Sequence, residues 1–345
     1  MRVVITGATG NVGTSVVEAL ARDPMIDSII GLARRTPWLN QPKTKWVSAD
    51  VTSTDLVPIF RGADSVVHLA WLIQPSRKPE KMRLTNVGGS ERVFRAAVKA
   101  KVPALVYASS VGVYSPGPKD RRVNESWPTD GIATSTYSRH KSEVERLLGT
   151  FENDFRVVRL RKALVFKREA GTEIRRLFLG PLFPASLVYP KLIRIVPRIE
   201  RLRFQAVHSN DAGEAYRLAV VGRVHGAFNI AAEPVLDPQE LARLFNAWPV
   251  PISAGFLRKI VDATWRLRLQ PSEAGWLDLA LETPLLDTTR SHRELGWRPR
   301  YSSDAALLEL LDGMRKGMGI ATPPLSPRAS GPLRVEEFRS SIGGQ

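Results

Sequence analysis

The chain has 345 residues, and its 50 lysines and arginines outnumber its 34 aspartates and glutamates, which gives a formal charge of +16. This length is enough for one large domain or two moderate ones with a full hydrophobic core. Hydrophobic residues make up 43% of the chain, which excludes a wholly disordered protein. Because the sequence has no cysteine, disulfides, a cysteine nucleophile and thiolate metal sites are excluded.

The amino terminus has no long apolar segment before its first glycines, so a signal peptide is not predicted. The longest apolar candidate for a membrane span, 177–189, is interrupted by Pro181 and Pro184. We therefore expect a cytoplasmic protein. The positive charge suits nucleic acid, anionic lipid or anionic small molecules, or a solvated basic surface, and no nucleic-acid-binding motif accompanies it.

The first half alternates short apolar runs with longer amphipathic segments. The predicted strands are 3–5, 28–33, 45–49, 65–70 and 104–108, and the predicted helices are 12–22, 53–61 and 80–101. Strands that alternate with helices predict parallel βαβ units. The expected fold is therefore an α/β, doubly wound parallel sheet of the Rossmann type.

The second half is less regular. Strands are predicted at 155–160 and 227–231, and helices at 238–247 and 303–316. Residues 256–269 form a basic amphipathic segment whose apolar side chains lie near one face: Leu257, Ile260, Val261, Thr264, Trp265 and Leu267. Packing of this face on the domain is the favoured interpretation, and contact with a membrane surface is the alternative.

We predict three regions along the chain. Residues 1–166 form the dinucleotide-binding domain, to which 204–232 return. Residues 167–322 mainly form a smaller substrate-binding region. Residues 323–345, rich in Pro, Ser, Gly and Arg, are predicted to be a disordered tail.

A glycine-rich turn follows the first predicted strand and opens the first helix. It reads Thr6-Gly7-Ala8-Thr9-Gly10-Asn11-Val12-Gly13. Glycines allow a tight turn and a close backbone approach, and a helix N-terminus favours an anion. This position predicts binding of a cofactor pyrophosphate. Arg34 and Arg35 follow the second strand, where an acid would mark NAD, so the cofactor NADP is favoured over NAD.

A Tyr-x-x-x-Lys pattern at Tyr137 and Lys141 places both side chains on one face of a helix. A nearby ammonium group can lower the pKa of a tyrosine and make it a useful acid–base group. Ser110 follows the fifth predicted strand, where ligands bind in open α/β sheets. Its hydroxyl can hydrogen-bond to a substrate oxygen.

At these residues the chain resembles the extended short-chain dehydrogenase/reductase family, which contains NAD-dependent epimerases and dehydratases. The matching blocks run in order along most of the chain: 6–13, Asp50-Val51, His68-Leu69-Ala70, Asn86-Val87-x-Gly89, Ser109-Ser110-x-x-Val113-Tyr114, Tyr137-x-x-x-Lys141, 207–211, 228–230 and Leu295-Gly296-Trp297-x-Pro299.

The resemblance implies a role for each matching residue. Tyr137 would be the acid–base group, Lys141 would bind the nicotinamide ribose and tune Tyr137, and Ser110 would orient the substrate. The turn residues Gly7, Thr9, Gly10, Asn11, Val12 and Gly13 would hold the pyrophosphate, Asp50 and Val51 would flank the adenine, and Leu69 and Ala70 would line the cofactor cleft. Asn86 would act structurally or in a proton relay. The resemblance also suggests a homodimer formed through two long helices.

The sequence departs from the family pattern at three places. Val111 and Gly112 follow Ser110 in place of the Asp-Glu pair of sugar-nucleotide 4,6-dehydratases, which disfavours that reaction. Residues 161–167 lack the asparagine typical of sugar-nucleotide epimerases, which makes a sugar-nucleotide substrate less favoured. Trp71 stands where a small residue is common, and it either narrows the substrate pocket or packs in the core.

The predicted function is NAD(P)-dependent hydride transfer between the nicotinamide and a carbonyl or carbinol carbon of a small molecule. The alternatives are an epimerase, a cofactor-binding sensor without turnover, and a peripheral membrane enzyme. Residues 156–203 carry 13 basic and 3 acidic residues, which favours an anionic substrate or an anionic surface beside the pocket, or a solvated face. The five histidines are too dispersed to predict a metal site; His68 is expected to be packed and His140 to face solvent.

Overall fold

The computed structural model describes residues 1–74, 76–183 and 188–328. Its strands are β1 (Arg2–Thr6), β2 (Ser28–Ala33), β3 (Thr44–Ser48), β4 (Ser65–His68), β5 (Ala104–Tyr107), β6 (Arg122–Val123), β7 (Arg156–Lys162), β8 (Leu164–Phe166), β9 (Ile195–Arg198), β10 (Ala206–His208), β11 (Gly226–Ile230), β12 (Trp248–Pro251) and β13 (Leu285–Leu286). Its α-helices are α1 (Asn11–Arg22), α2 (Val57–Phe60), α3 (Pro79–Arg83), α4 (Gly89–Lys99), α5 (Thr136–Gly149), α6 (Gly171–Ile174), α7 (Ser209–Val221), α8 (Pro238–Phe245), α9 (Ala254–Arg266), α10 (Gly275–Glu282), α11 (Thr289–Arg293) and α12 (Ser303–Lys316).

Seven of these strands form one parallel sheet in the order β11-β7-β5-β4-β1-β2-β3. The order reverses between β1 and β4, which is the switch point where open α/β sheets bind ligands. The central strand β1 is buried on both faces through Val3, Val4 and Ile5, as a parallel sheet covered by helices requires. The predicted fold class is therefore confirmed.

Helices cover both faces of this sheet. On one face α1 and α7 pack together through Val16, Leu20 and Tyr216, all of them buried. On the other face α2, α4 and α5 contribute Phe60, Phe94 and Leu148. The two layers leave the carboxyl edge of the sheet open at the switch point.

The predicted helix 80–101 is a continuous helical stretch with a local irregularity. A π-helical turn, Leu84–Gly88, separates α3 from α4. Such turns are often found at functional sites, because they redirect a side chain inside an otherwise regular helix. The side chain redirected here belongs to Asn86, and its contacts are described below.

The carboxyl-terminal part differs from its prediction. Residues 323–328, which the sequence places in a disordered tail, follow a turn after α12, and Leu325 among them is fully buried. Thr322 is buried beside them, and Pro323 and Pro324 reach the cleft described below. The remaining tail residues, 329–345, lie outside the described part of the chain. His140 also differs, because it is buried and not solvent-facing.

Candidate active site

The glycine-rich turn joins β1 to α1 at the switch point of the sheet. Gly7 has a φ of +71°, and a Cβ there would lie 2.7 Å from the backbone nitrogen of Ala70. A Cβ at Gly13 would collide with the backbone carbonyl of Gly7. Gly10 precedes α1 and supplies no side-chain cap, so the first N–H groups of the helix can serve an anion. This cradle of backbone fits a pyrophosphate.

A cleft opens in front of this turn. Its lining includes nine of the residues predicted to bind the cofactor: Gly7, Thr9, Gly10, Arg34, Arg35, Asp50, Val51, Leu69 and Ala70. Asn11, Val12 and Gly13 belong to the same turn but do not line the cleft. The side chain of Asn11 instead donates to the Val165 carbonyl at 2.9 Å.

The end of the cleft beside β2 is basic. Arg34 and Arg35 are both exposed there, directly after β2. Asp50 faces them from the end of β3 and accepts hydrogen bonds from the backbone and side chain of Thr52, at 2.8 and 2.6 Å. Burial raises the pKa of Asp50, but these bonds and the charge of Arg34 outweigh burial and hold the pKa below its ordinary value. Asp50 is thus an ionised carboxylate whose Oδ1 already accepts two hydrogen bonds from Thr52.

Ser110 and Tyr137 lie close together next to Trp71 of the cleft wall, but Ser110, Tyr137 and Lys141 do not themselves line the cleft. Ser110 follows β5 and begins a short 3-10 turn, where its hydroxyl accepts from the Gly112 N–H at 3.1 Å. Tyr137 lies in the first turn of α5, and the Ser110 side chain lies close enough to act on the pKa of its hydroxyl. Burial raises the pKa of Tyr137 to about 12, although Ser110 acts to lower it. The structure therefore brings these two predicted residues together.

Lys141 lies on the same helix but is turned toward other partners. Its Nζ donates to the Ala108 carbonyl at 2.7 Å and to the Tyr107 hydroxyl at 3.4 Å. It also lies 3.5 Å from the centroid of the Trp71 ring, compared with 5.9 Å for the Tyr137 ring. Burial, aided by the charge of Lys162, places the pKa of Lys141 well below its ordinary value. The Lys141 ammonium group thus lies closer to the Ala108 carbonyl and the Trp71 ring than to the Tyr137 ring.

Aromatic side chains surround Tyr137. The Trp71 ring meets it edge-on at 5.9 Å between centroids, and the Trp276 ring lies 5.0 Å away. Phe178 packs against Trp276 at 4.9 Å. The buried Nε1 of Trp71 has no hydrogen-bond partner among the described residues. Trp71 therefore lines the cleft and packs against both Tyr137 and the hydrophobic core.

Behind this site, a buried polar network fixes α5 to the sheet. Arg161 binds the carboxylate of Glu145 through two nitrogens, at 3.0 and 2.6 Å, and Ser109 donates to the same carboxylate. Lys162 donates to the Ser109 carbonyl at 2.7 Å and to the Tyr216 hydroxyl at 2.8 Å. Because Ser109 precedes Ser110, this network sets the position of Ser110 relative to Tyr137.

Asn86 and His68 make buried polar contacts near the cleft. Through the π-helical turn, Asn86 accepts from the backbone N–H of Leu72 at 2.7 Å and donates to its carbonyl at 2.9 Å. This pair of bonds holds the segment that carries Trp71. His68 bonds to Thr6 at 2.7 Å and to Ser90 at 2.9 Å, and burial lowers its pKa to about 3. It is packed, as the sequence predicts.

The opposite wall of the cleft contains residues that the sequence did not indicate. They are Glu173, Arg176 and Leu177 near α6, together with Pro323 and Pro324. An Arg176 nitrogen donates to the Pro324 carbonyl at 2.9 Å, which ties the carboxyl-terminal segment to this wall. Burial raises the pKa of Glu173 to about 7, against the influence of Arg176 and Lys167. No local pattern marks this wall, because it is assembled from segments about 150 residues apart.

The basic surplus of residues 156–203 divides into two parts. In the first part, cationic side chains are used internally: Arg156 donates to the Val224 carbonyl, Arg161 pairs with Glu145, and Lys167 donates to Thr14 at 2.6 Å. In the second part, Arg194 and Arg198 are exposed. Because these internal cations already bind other parts of the protein, they do not support binding of an anionic substrate.

Comparison with known proteins places the chain in a family. Residues 3–173 match the model of the NAD dependent epimerase/dehydratase family. The uncharacterized protein Rv0501 of Mycobacterium tuberculosis is 28% identical over 350 residues, which cover 94% of this chain and 86% of that protein.

Two further proteins are similar over different extents. The L-arabinose 1-dehydrogenase (NAD(P)(+)) of Haloferax volcanii is 38% identical over 114 residues, which cover 33% of this chain and 42% of that enzyme. The structure of MoeE5 in complex with UDP-glucuronic acid and NAD superposes with a TM-score of 0.65 at 20% identity, and the match covers 92% of this chain and 100% of that one. With its seven-stranded Rossmann sheet and its match through residue 173, the chain belongs to the NAD dependent epimerase/dehydratase family, among the extended short-chain dehydrogenases/reductases.

Proposed function

We propose that this protein is an NAD(P)-dependent oxidoreductase that transfers a hydride between the nicotinamide and a carbonyl or carbinol carbon of a small molecule. The observation that carries the proposal is the proximity of the Ser110 and Tyr137 side chains, next to Trp71 of a cleft that contains a backbone cradle for a dinucleotide. The family comprises NAD-dependent epimerases, dehydratases and dehydrogenases. Membership therefore supports enzymatic activity, and hydride transfer to a carbonyl carbon is the specific reaction that we propose.

The residues of the cleft would hold the cofactor at both of its ends. Gly7, Gly10 and the N-terminus of α1 would receive the pyrophosphate, and Asp50 with Val51 would border the adenine. Arg34 and Arg35 favour the 2′-phosphate of NADP, since guanidinium groups bind phosphate in a bidentate manner. When bound, the nicotinamide supplies the hydride in reduction and accepts it in oxidation.

Proton transfer falls to Tyr137. Its hydroxyl is protonated at neutral pH, because its pKa is about 12, and in the reductive direction it donates this proton to the carbonyl oxygen. Ser110 holds the same oxygen through its hydroxyl. Lys141 would contribute by fixing the Ala108 carbonyl and the Trp71 ring beside the site. Direct tuning of Tyr137 by Lys141 stays a prediction from the resemblance.

The surroundings of Tyr137 also narrow the class of substrate. Trp71 and Trp276 pack against the Tyr137 ring, and Phe178 packs against Trp276. We therefore expect a carbonyl compound with an apolar or aromatic group next to the reacting carbon. A homodimer through two long helices stays a prediction.

Cofactor balance tests this proposal against its alternatives. The protein would be incubated with NADPH and a panel of apolar and aromatic carbonyl compounds, and with NADP⁺ and carbinols that include sugar nucleotides, while NADPH fluorescence and product stereochemistry are followed. NADPH consumption equal to alcohol formed supports the proposal. A changed stereocentre without net NADPH consumption would identify an epimerase, and tight NADPH binding without chemistry would identify a sensor; either result overturns it.

A further inference from the structure

Helix α9 carries apolar side chains on two sides. Its inner side faces the protein: the Trp265 indole N–H donates to Ser76 at 3.1 Å, and the Arg77 guanidinium lies 4.5 Å above the same ring. Leu257 and Val261 on this side are half-buried. The helix is therefore attached to the domain, as the favoured sequence interpretation expects, but this packing uses only part of its apolar surface.

The outer side of α9 remains exposed. Phe256 and Ile260 on α9, and Leu267 directly after its last residue, are spaced four and seven residues apart, which places them on one side of the helix. Their exposed fractions are 61%, 43% and 70%. None of the residues of α9 is buried. A stripe of large apolar side chains in water on a single helix is unfavourable unless another surface covers it.

A second exposed apolar element immediately precedes α9 in the chain. Strand β12 pairs in parallel with β9, and Trp248 is the register partner of Ile195. Register partners in a parallel pair project to the same face. Trp248 is 78% exposed and Ile195 is 60% exposed. We call these five side chains, Phe256, Ile260 and Leu267 with Trp248 and Ile195, the outer apolar surface.

Unpaired positive charge accompanies the outer apolar surface. The two segments that carry it, 188–203 and 248–270, contain nine basic and two acidic residues. Arg258 pairs with Asp278 and Arg266 with Asp262. Four other exposed cations have no carboxylate partner within the described residues: Arg194, Arg198, Lys259 and Arg268. The surface thus combines large apolar side chains, a tryptophan and free cations.

We propose that the outer apolar surface binds an anionic phospholipid bilayer. Apolar side chains enter the boundary between headgroups and acyl chains, tryptophan favours the same depth, and cations bind the anionic headgroups. The charge opposes a second copy as the occupant, because two surfaces of the same sign would be brought together. No helix in the described part of the chain is long and apolar enough to cross a bilayer, so the proposed contact is peripheral.

This contact would lie next to the candidate active site. The inner side of α9 touches Ser76 and Arg77, and the segment just before them, 69–74, lines the cleft. A bilayer on the outer side of α9 would therefore lie one helix away from a segment of the cleft wall. The proposal does not depend on the reaction, because binding is measured without substrate or cofactor.

The test is co-sedimentation of the full chain with phosphatidylcholine vesicles that contain or lack phosphatidylglycerol. We expect binding to the anionic vesicles at low salt. The triple variant Phe256→Ser/Ile260→Ser/Leu267→Ser should bind at least about tenfold more weakly, since it removes the inserted area. The double variant Lys259→Gln/Arg268→Gln should weaken binding and reduce its dependence on salt.

The matched control is Trp38→Ser, which removes an aromatic side chain that is 97% exposed elsewhere on the protein. This variant should bind like the wild type, and circular dichroism should show that all variants are folded. Absence of wild-type binding to either vesicle at low salt would overturn the proposal, and so would equal binding by the triple variant. A wild-type dimer that the triple variant converts to a monomer would assign the surface to a second copy instead.

Discussion

At Tyr137, burial and the neighbouring Ser110 act on the pKa of one hydroxyl in opposite directions. Burial raises this pKa to about 12, and Ser110 acts to lower it. The Nζ of Lys141 donates to the Ala108 carbonyl and lies 5.9 Å from the centroid of the Tyr137 ring. The hydroxyl is consequently a proton donor at neutral pH, and this protonation state suits carbonyl reduction.

Glu173 predicts a pH dependence of cofactor binding. Burial raises the pKa of this cleft residue to about 7, so it is largely neutral below that pH and ionised above it. An ionised carboxylate repels the cofactor phosphates, so NADPH affinity should fall as the pH rises through 7. In Glu173→Gln this fall should disappear, as isothermal titration at several pH values would show. Glu169→Gln, on the same segment but outside the cleft lining, should keep the wild-type dependence; an unchanged profile in Glu173→Gln would contradict the assignment.

Arg34 predicts a preference between cofactors. If its guanidinium binds the 2′-phosphate, Arg34→Ala should weaken NADPH binding by about tenfold, the value of one charge-assisted hydrogen bond, and leave NADH binding unchanged. Fluorescence titration with each cofactor measures both effects. Arg61→Ala, which removes an exposed arginine outside the cleft, serves as the control. Equal wild-type affinities for NADH and NADPH would argue against the phosphate role of both Arg34 and Arg35.

At the scale of elements, the sequence predicts those strands, turns and helices that have a recognisable local residue pattern. Short apolar runs and the glycine turn mark β1 and α1 correctly, because a buried parallel strand and a helix N-terminus each have a local signature. The contact between Tyr137 and Trp276 has no such signature, since it joins residues far apart in the chain. The π-helical turn at 84–88 is equally hidden, because its residues are ordinary helix residues. The proximity of Ser110 and Tyr137 could be anticipated from the sequence, whereas the contact of Tyr137 with Trp276 could not.

The carboxyl-terminal segment shows where composition misleads. Proline and serine suggest disorder, yet Leu325 is fully buried and its neighbours Pro323 and Pro324 line the cleft. We expect Leu325→Ala to lower the free energy of unfolding by about 2–4 kcal/mol and to weaken NADPH binding, because the anchor of this wall is lost. Chemical denaturation and cofactor titration would measure the two effects.

Leu269→Ala is the matched control for this segment. Leu269 is 45% exposed, so the same substitution there should change stability by less than about 0.5 kcal/mol. If Leu325→Ala were as stable as Leu269→Ala and bound NADPH normally, the segment would not support the cleft.

For the whole molecule, the buried lysines predict that the free energy of unfolding increases as the pH rises above neutral. Burial lowers the pKa of Lys119 and Lys162 to about 7 and that of Lys167 to about 8, from 10.5. The unfolded chain therefore binds more protons than the folded one between pH 7 and 10.5, and stability rises with pH in this window. Buried tyrosines such as Tyr137 oppose the rise only above pH 10.

Calorimetric melting between neutral pH and pH 10 checks this expectation. In Lys162→Met the rise of Tm with pH should be smaller than in the wild type, because one buried lysine no longer titrates; each lysine contributes at most about 1.4 kcal/mol per pH unit. Lys99→Met, at an exposed position on α4, should leave the slope unchanged. A wild-type Tm that falls steadily across the window would contradict the account.

The most direct measurement of the proposed chemistry compares the wild type with Tyr137→Phe in single-turnover hydride transfer, using the carbonyl compound that the panel identifies. The variant keeps the ring among Trp71 and Trp276 but has no proton to donate. We predict that NADPH affinity is unchanged and that the transfer rate falls by about 10²–10⁴-fold. Transfer at the wild-type rate by Tyr137→Phe would contradict the assignment of Tyr137 and the reaction built on it.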